Sequence, residues 1–329
     1  MAKANIYITR LIPQEGIELL KEECDVEVNP DDRVLTRREL LQAVRGRDGL
    51  LCLLTDTIDG EVMDAAGGIL KGIANYAVGY NNIDLGEATR RGIPVSNTPG
   101  VLTDATAEMA WALLFSTARR VVESDRFNRS GQWEGWGPLQ FLGGDITGTT
   151  LGIVGAGRIG TAMALKSKGF GMKVLYADHT VNETLETELG AERADLDKLL
   201  EEADFISIHV PLTEKTTRLF GTEQFRKMKP TAYLINSSRG PVVDEAALVE
   251  ALQTREIAGA GLDVYENEPA MAAGLADLEN VVLTPHTGSA TTNSRTNMAL
   301  KAAENLLAMM RGGTPPDCVN PQALKTPER

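Results

Sequence analysis

The stretch that decides the fold is Thr150–Asp178, TLGIVGAGRIGTAMALKSKGFGMKVLYAD. An apolar β-type run, Leu151–Val154, leads straight into Gly155-x-Gly157-x-x-Gly160, and a helical pattern opens there. A second β-run, Lys173–Ala177, ends at Asp178. Each glycine answers a geometric need: Gly155 permits the tight turn, Gly157 lets backbone approach a pyrophosphate, and Gly160 lets helix pack on strand. The free N–H groups of the helix start, around Arg158 and Ile159, would then meet phosphate. Asp178 stands about 20 residues past the first glycine, where an acid reads the hydroxyls of a ribose. It would repel a 2′-phosphate, and no Arg or Lys follows it in Asp-His-Thr, so the pattern favours NAD(H). A basic residue brought in from another loop would open the site to NADP(H).

Outward from this unit, short β-rich runs alternate with helical patterns along nearly the whole chain, the mark of parallel α/β units. Toward the N-terminus, Asn5–Thr9, Gly49–Leu53, Leu70–Ala74 and Ile93–Ser96 read as strands. Pro13–Glu23 (Pro in its first turn), Thr36–Val44 and Gly60–Ala66 read as helices, and Thr36 with Glu39 forms a capping box. Thr106–Arg119 is a long helix that looks too apolar for the surface of a monomer. Ser130–Asp145, SGQWEGWGPLQFLGGD, has no period and reads as a packed loop or an arm around a partner. A second strand–helix series runs from Thr149 to about Leu283. Ala290–Arg311 is a final helix, and the Pro-rich tail GGTPPDCVNP is expected to lie across the first domain. The boundaries expected are 1–99 and 289–329 for one domain and 100–288 for the other.

Composition narrows the function classes. The 329 residues carry 33 Lys+Arg against 46 Asp+Glu, a net charge of −13, which argues against nucleic-acid or anionic-membrane partners. The longest uninterrupted apolar stretch, Met109–Phe115, falls far short of the ~20 residues that span a bilayer. MAKANIYITR has no signal-type apolar region, and Cys24, Cys52 and Cys318 are scattered, odd in number and without metal spacing. A cytoplasmic chain without disulfides or a bound metal is expected.

Three polar groups lie at or beyond the ends of predicted strands: Arg239 in TAYLINSSRGPVVDEAAL, Glu268 in GAGLDVYENEP and His286 in NVVLTPHTGSA. Loops past the carboxyl ends of a doubly wound sheet converge on its ligand crevice. A guanidinium fork can clamp a carboxylate, an imidazole can give or take a hydroxyl proton, and a carboxylate can orient that imidazole. Taken singly, each also fits a turn or surface role; their joint placement points to chemistry.

With GAGRIG and its acid, DFISIHVPLTEKT (Asp204–Thr216), YLINSSRGPVVDEAAL (Tyr233–Leu248), AGLDVYENEP (Ala260–Pro269) and LTPHTGSAT (Leu283–Thr291), the chain resembles the D-isomer-specific 2-hydroxyacid dehydrogenases. NYAVGYNNID (Asn75–Asp84) and TPGVLTDATAEMAWALL (Thr98–Leu114) extend the resemblance over nearly the whole chain, which is most similar to the glyoxylate and hydroxypyruvate reductase branch. The resemblance implies two doubly wound parallel-sheet α/β domains, a Rossmann NAD-binding domain inserted into a flavodoxin-like substrate domain. It implies reversible reduction of a small 2-keto acid such as glyoxylate or hydroxypyruvate. Arg239 would clamp the carboxylate, Glu268 would partner the histidine, His286 would be acid/base, and the Val78 and Gly79 amides would hold the substrate carboxylate. Cofactor contacts are implied for Thr106, His209, Pro211 and Thr216. They are implied also for Ser237, Ser238, Asp263 (on the carboxamide), His286 and Gly288. His179 would be a solvated residue at the ribose edge. A homodimer is implied through the Thr106–Arg119 helix and the Ser130–Asp145 arm, with Trp136 reaching the neighbour's substrate pocket. A D-lactate-, phosphoglycerate- or phosphite-type dehydrogenase, or a non-catalytic NAD-sensing protein on the same scaffold, are the alternatives. Turnover of NADH with glyoxylate separates the non-catalytic protein from an enzyme, and a panel of glyoxylate, hydroxypyruvate, pyruvate, phosphite and formate with both cofactors separates the enzymes.

Overall fold

A computed structural model describes residues 3–324 and divides the chain into two compact units. One comprises the chain up to Leu102 together with the segment from Ala290 onward; the other is Thr103–Ser289. These limits lie one to three residues beyond those expected.

The first unit holds a five-stranded, all-parallel sheet of β1 (Ala4–Ile8), β2 (Cys24–Val28), β3 (Gly49–Cys52), β4 (Gly72–Asn75) and β5 (Val95–Ser96). Their order is β2-β1-β3-β4-β5, the flavodoxin-like winding. Ile6, Ile8, Leu50, Leu51 and Ile73 are fully buried, each contributing about 1.5–3 kcal/mol relative to exposure. Helices Gln14–Glu23 and Thr292–Met310 pack together against this sheet. The Thr36 capping box is present: Glu39 N–H donates to Thr36 Oγ1 at 3.4 Å, and Thr36 N–H to Glu39 Oε2 at 2.8 Å. The tail lies on β5, where Val95 N–H donates to Asn320 Oδ1 at 2.7 Å and Asn320 Nδ2 to Ile93 O at 3.0 Å.

Details differ from the reading of the sequence. Pro13 is the N-cap of its helix rather than a member of the first turn. The edge strand β2, CDVEV, escapes a hydrophobic-run criterion because polar residues alternate through it. β4 begins at Gly72, two residues past Leu70.

The second unit carries seven parallel strands: β6 (Thr150–Val154), β7 (Lys173–Ala177), β8 (Glu192–Arg193), β9 (Phe205–Ile208), β10 (Tyr233–Asn236), β11 (Gly259–Leu262) and β12 (Val281–Leu283). The order β12-β11-β10-β9-β6-β7-β8 is the doubly wound nucleotide-binding winding with one added edge strand. The order reverses between β6 and β9, where ligands of such sheets bind.

The apolar helix runs Thr103–Ala118 and lies against helix Arg158–Lys166 and strands β10–β12. Ala107, Ala110, Trp111, Leu113 and Leu114 are buried inside this unit. Helix and sheet of its own unit cover these residues. A further helix, Val121–Arg129, follows it. The arm beyond is irregular and leaves Trp133, Trp136, Leu139 and Leu142 exposed, Trp136 at 84%.

Candidate active site

The glycine turn stands at the switch point. Gly155 sits at φ +96°, and a Cβ there would lie 2.8 Å from the His209 carbonyl carbon; one on Gly160 would lie 2.1 Å from the Gly155 oxygen. Neither position admits a side chain. Gly157 is the N-cap of helix Arg158–Lys166 with no side-chain cap, and nothing lies within 4 Å of a Cβ built on it. The N–H groups of Arg158 and Ile159 thus open the helix beside free space, the arrangement that favours phosphate.

Asp178 ties this turn to β7: Oδ2 accepts the Ala156 N–H at 2.8 Å and Oδ1 the Thr180 N–H at 3.1 Å. Burial pushes its carboxyl up, but these N–H groups outweigh it and hold it below the ordinary value. His179 beside it is exposed. The fold also brings a cation that the local sequence lacks. Arg193, on edge strand β8, donates to the carbonyls of Asp178 (Nη2, 2.9 Å) and His179 (Nη2, 2.8 Å).

The other expected cofactor contacts gather in the same unit. Ser237 Oγ is buried with no hydrogen-bond partner among the described residues, an orphan that a ligand could satisfy. Thr106 is buried beside Gly288, its Oγ1 3.7 Å from a Cβ built there. Pro211 and Thr216 form one turn, Thr216 Oγ1 donating to Pro211 O at 2.6 Å. Asp263 is buried and holds the loop after His286: Oδ1 accepts the Thr287 N–H and Oδ2 the Gly288 N–H, each at 2.7 Å. Open space at Gly157, an uncapped helix, Asp178 and the orphan Ser237 fit a dinucleotide.

His209 lies within 2.8 Å of Ser207 Oγ, and burial drives its imidazole down to about 4. A histidine lowered in the fold favours the uncharged state. The stability it contributes is present above the unfolded value of about 6.5 and lost as pH falls toward 4. Thermal melts from pH 7 to pH 4 should show a steeper drop for the wild type than for His209→Asn; parallel curves would remove His209 from the effect.

The three candidate catalytic groups converge at the carboxyl ends of β10, β11 and β12. His286 Nδ1 lies 2.8 Å from Glu268 Oε2, which leaves Nε2 to face a substrate. His286 itself has φ +56°, a left-handed conformation uncommon for a non-glycine residue and frequent at functional sites. Glu268 Oε1 accepts the Tyr265 N–H at 3.1 Å. Burial raises the Glu268 carboxyl, yet His286, the Tyr265 N–H and Arg239 outweigh it and hold it ionised. Burial lowers the Arg239 guanidinium, with Glu268 opposing, and it stays a cation at any working pH. Val78 and Gly79 belong to the other unit, in the turn after β4.

Reading the sequence missed the residues that hold these groups. Asn236, buried at the end of β10, accepts the Ser238 N–H at 3.0 Å and donates to Arg239 O at 3.1 Å, shaping the turn under Arg239. An Asn closing a strand before Ser-Ser-Arg-Gly is an Asx-turn signal that could have revealed it. Buried Glu245 accepts the N–H groups of Glu266 and Ala272, the latter at 2.8 Å, and so fixes both ends of the segment bearing Glu268. Gly240 closes the same region, for a Cβ there would lie 1.8 Å from Tyr265 O. Gly240→Ala should cost about 3 kcal/mol or more, a Tm loss on the order of 6–12 °C, read by differential scanning calorimetry.

Residues 111–288 match the family model described as D-isomer specific 2-hydroxyacid dehydrogenase, NAD binding domain. The chain is 51% identical over 327 residues to a glyoxylate reductase of Thermococcus gammatolerans, covering 98% of each. The chain belongs to the D-isomer-specific 2-hydroxyacid dehydrogenase family. It is therefore an oxidoreductase that uses a nicotinamide dinucleotide. Among solved structures it is similar to a protein from Thermus thermophilus (45% identity, TM-score 0.89, 96% of this chain and 99% of that one). It is similar also to the NADPH-dependent glyoxylate/hydroxypyruvate reductase of Sinorhizobium meliloti, solved with NADP and malonate (33% identity, TM-score 0.86, all of both chains). No helix among the described residues is long and apolar enough to cross a membrane.

Proposed function

We propose that this dehydrogenase reduces glyoxylate, and hydroxypyruvate as a second small 2-keto acid, to glycolate and D-glycerate, in the cytoplasm. The observation that carries the reading is the His286–Glu268 pair, 2.8 Å apart, in one unit with Arg239 and the glycine turn. The relatives' names agree with it. The cofactor, when bound, supplies the hydride.

The chain's own residues do the rest. Protonated His286 gives the Nε2 proton to the keto oxygen, and in the reverse direction the neutral ring takes it back. Glu268 keeps Nδ1 bonded, fixing the ring's orientation. Arg239 binds the substrate carboxylate through its fork; in the other unit, the Val78 and Gly79 N–H groups are a pair of carboxylate donors. Asp178 favours NADH by repelling a 2′-phosphate. Arg193, engaged on the two neighbouring carbonyls, is the group that would admit NADPH. The exposed side chains of the Ser130–Asp145 arm support a homodimer, which sedimentation velocity can test.

The deciding experiment follows NADH and NADPH oxidation with glyoxylate, hydroxypyruvate and pyruvate, and the reverse reaction with formate and phosphite. Glyoxylate with NADH should give the highest kcat/KM. Turnover confined to formate or phosphite, or none with any substrate, would overturn the reading.

A further inference from the structure

In a trans peptide, the C=O of one residue and the N–H of the next point in opposite directions. Whatever holds the carbonyl therefore aims the amide. Three consecutive peptides in the turn after β4 are held this way. Ala77 O accepts the Thr98 N–H at 2.9 Å, Val78 O accepts Asn97 Nδ2 at 2.7 Å, and Gly79 O accepts Asn75 Nδ2 at 2.8 Å. The N–H groups paired with the first two carbonyls are those of Val78 and Gly79. Both clamps lie at the end of neighbouring strand β5, so the amides are aimed away from it.

We propose that Asn97 is a positioning residue for substrate binding: its hold on Val78 O, beside the Thr98 N–H on Ala77 O, aims the Gly79 and Val78 amides as a two-donor cradle for a carboxylate. The inference rests on the reading that those amides bind the keto acid. Asn97 is held from its own side, since its N–H donates to Asp317 O in the C-terminal tail. Asn75 sets the far end of the turn. It is fully buried, and its Oδ1 accepts from Cys52 Sγ and from Asn82 Nδ2 at 3.3 Å. Asn82 Nδ2 donates in turn to Leu53 O at 3.0 Å. The loop is thus braced from β3 and from β5. Preorganised donors of this kind cost no reorganisation when the anion arrives.

Asn97→Ala removes the Val78 clamp without touching Arg239, His286 or the glycine turn. Steady-state kinetics with glyoxylate should show KM raised on the order of ten-fold, with kcat within about three-fold and NADH affinity unchanged. A merely structural Asn97 would move Tm and NADH affinity together with KM; that pattern, or an unchanged KM, overturns the proposal. Should Asn97→Ala fail to fold, Asn97→Ser is measured in the same way. The underlying reading is checked separately by amide NMR of the wild type with NADH and oxamate, a non-reacting keto-acid analogue. If the Val78 and Gly79 resonances do not respond to oxamate, the carboxylate reading fails and the proposal with it. If they respond and the Asn97 variant keeps its KM, the positioning role alone fails.

Discussion

Replacing His286 with alanine is expected to lower kcat for glyoxylate reduction by about 10²–10⁴-fold, the usual worth of a positioned general acid. The expectation follows from geometry. Nδ1 is committed to Glu268 at 2.8 Å, so Nε2 is the one ring nitrogen left to donate, and the left-handed backbone at His286 shows a residue placed against its preference. Neither other histidine can substitute. His179 is exposed beside Asp178, and His209 is uncharged above about pH 5 because burial lowers it to about 4. NADH binding, measured by fluorescence titration, should survive in His286→Ala, because the dinucleotide elements stand on β6 and β7. The sign of the pH dependence also follows. Reduction consumes a proton and oxidation releases one, so raising the pH should move the equilibrium toward the keto acid. Near-wild-type turnover in the alanine variant would remove His286 from the chemistry.

The second large effect is at Arg239. Arg239→Ala should lower kcat/KM for glyoxylate by about 10²–10³-fold, because a lost two-pronged, charge-assisted contact forfeits both affinity and the aim of the carbonyl. Arg239→Lys should recover little, since an ammonium cannot reproduce the planar fork. The loss should exceed that of Asn97→Ala, which tilts a donor but leaves the cation in place. Arg239 also faces Glu268, so the variant should shift the pH profile as well as the magnitude. Unchanged KM and kcat in Arg239→Ala would assign carboxylate binding elsewhere.

Much of this was legible along the chain because it is local. Gly155, Gly157 and Gly160 are read from spacing since their constraint is backbone room within one strand–turn–helix, and the structure shows that two of them tolerate no Cβ. The Thr36–Glu39 capping box spans four residues and was read the same way. Two local signals were weaker. β2 alternates polar residues through an edge position, and the two-residue β8 exposes both of its side chains. The apolar helix Thr103–Ala118 was legible as buried, but hydrophobicity says that a face is covered and not by what. Here sheet and helix of its own unit cover it, while the arm leaves Trp133 and Trp136 exposed.

The sequence by itself determined the parallel α/β plan, the dinucleotide turn and the acidic balance of −13, and it named three candidate residues for the chemistry. Only the tertiary structure decided how those residues are held. A parallel sheet returns the chain through long crossovers, so strand ends far apart in sequence become neighbours. That is how Arg193 comes to flank Asp178, Glu245 to grip the loop of Glu268, and Asn97 to hold Val78. Each is a side-chain bond to a backbone group on another strand or loop. Such a bond leaves no periodicity, because its partner is chosen by sheet order rather than by spacing along the chain.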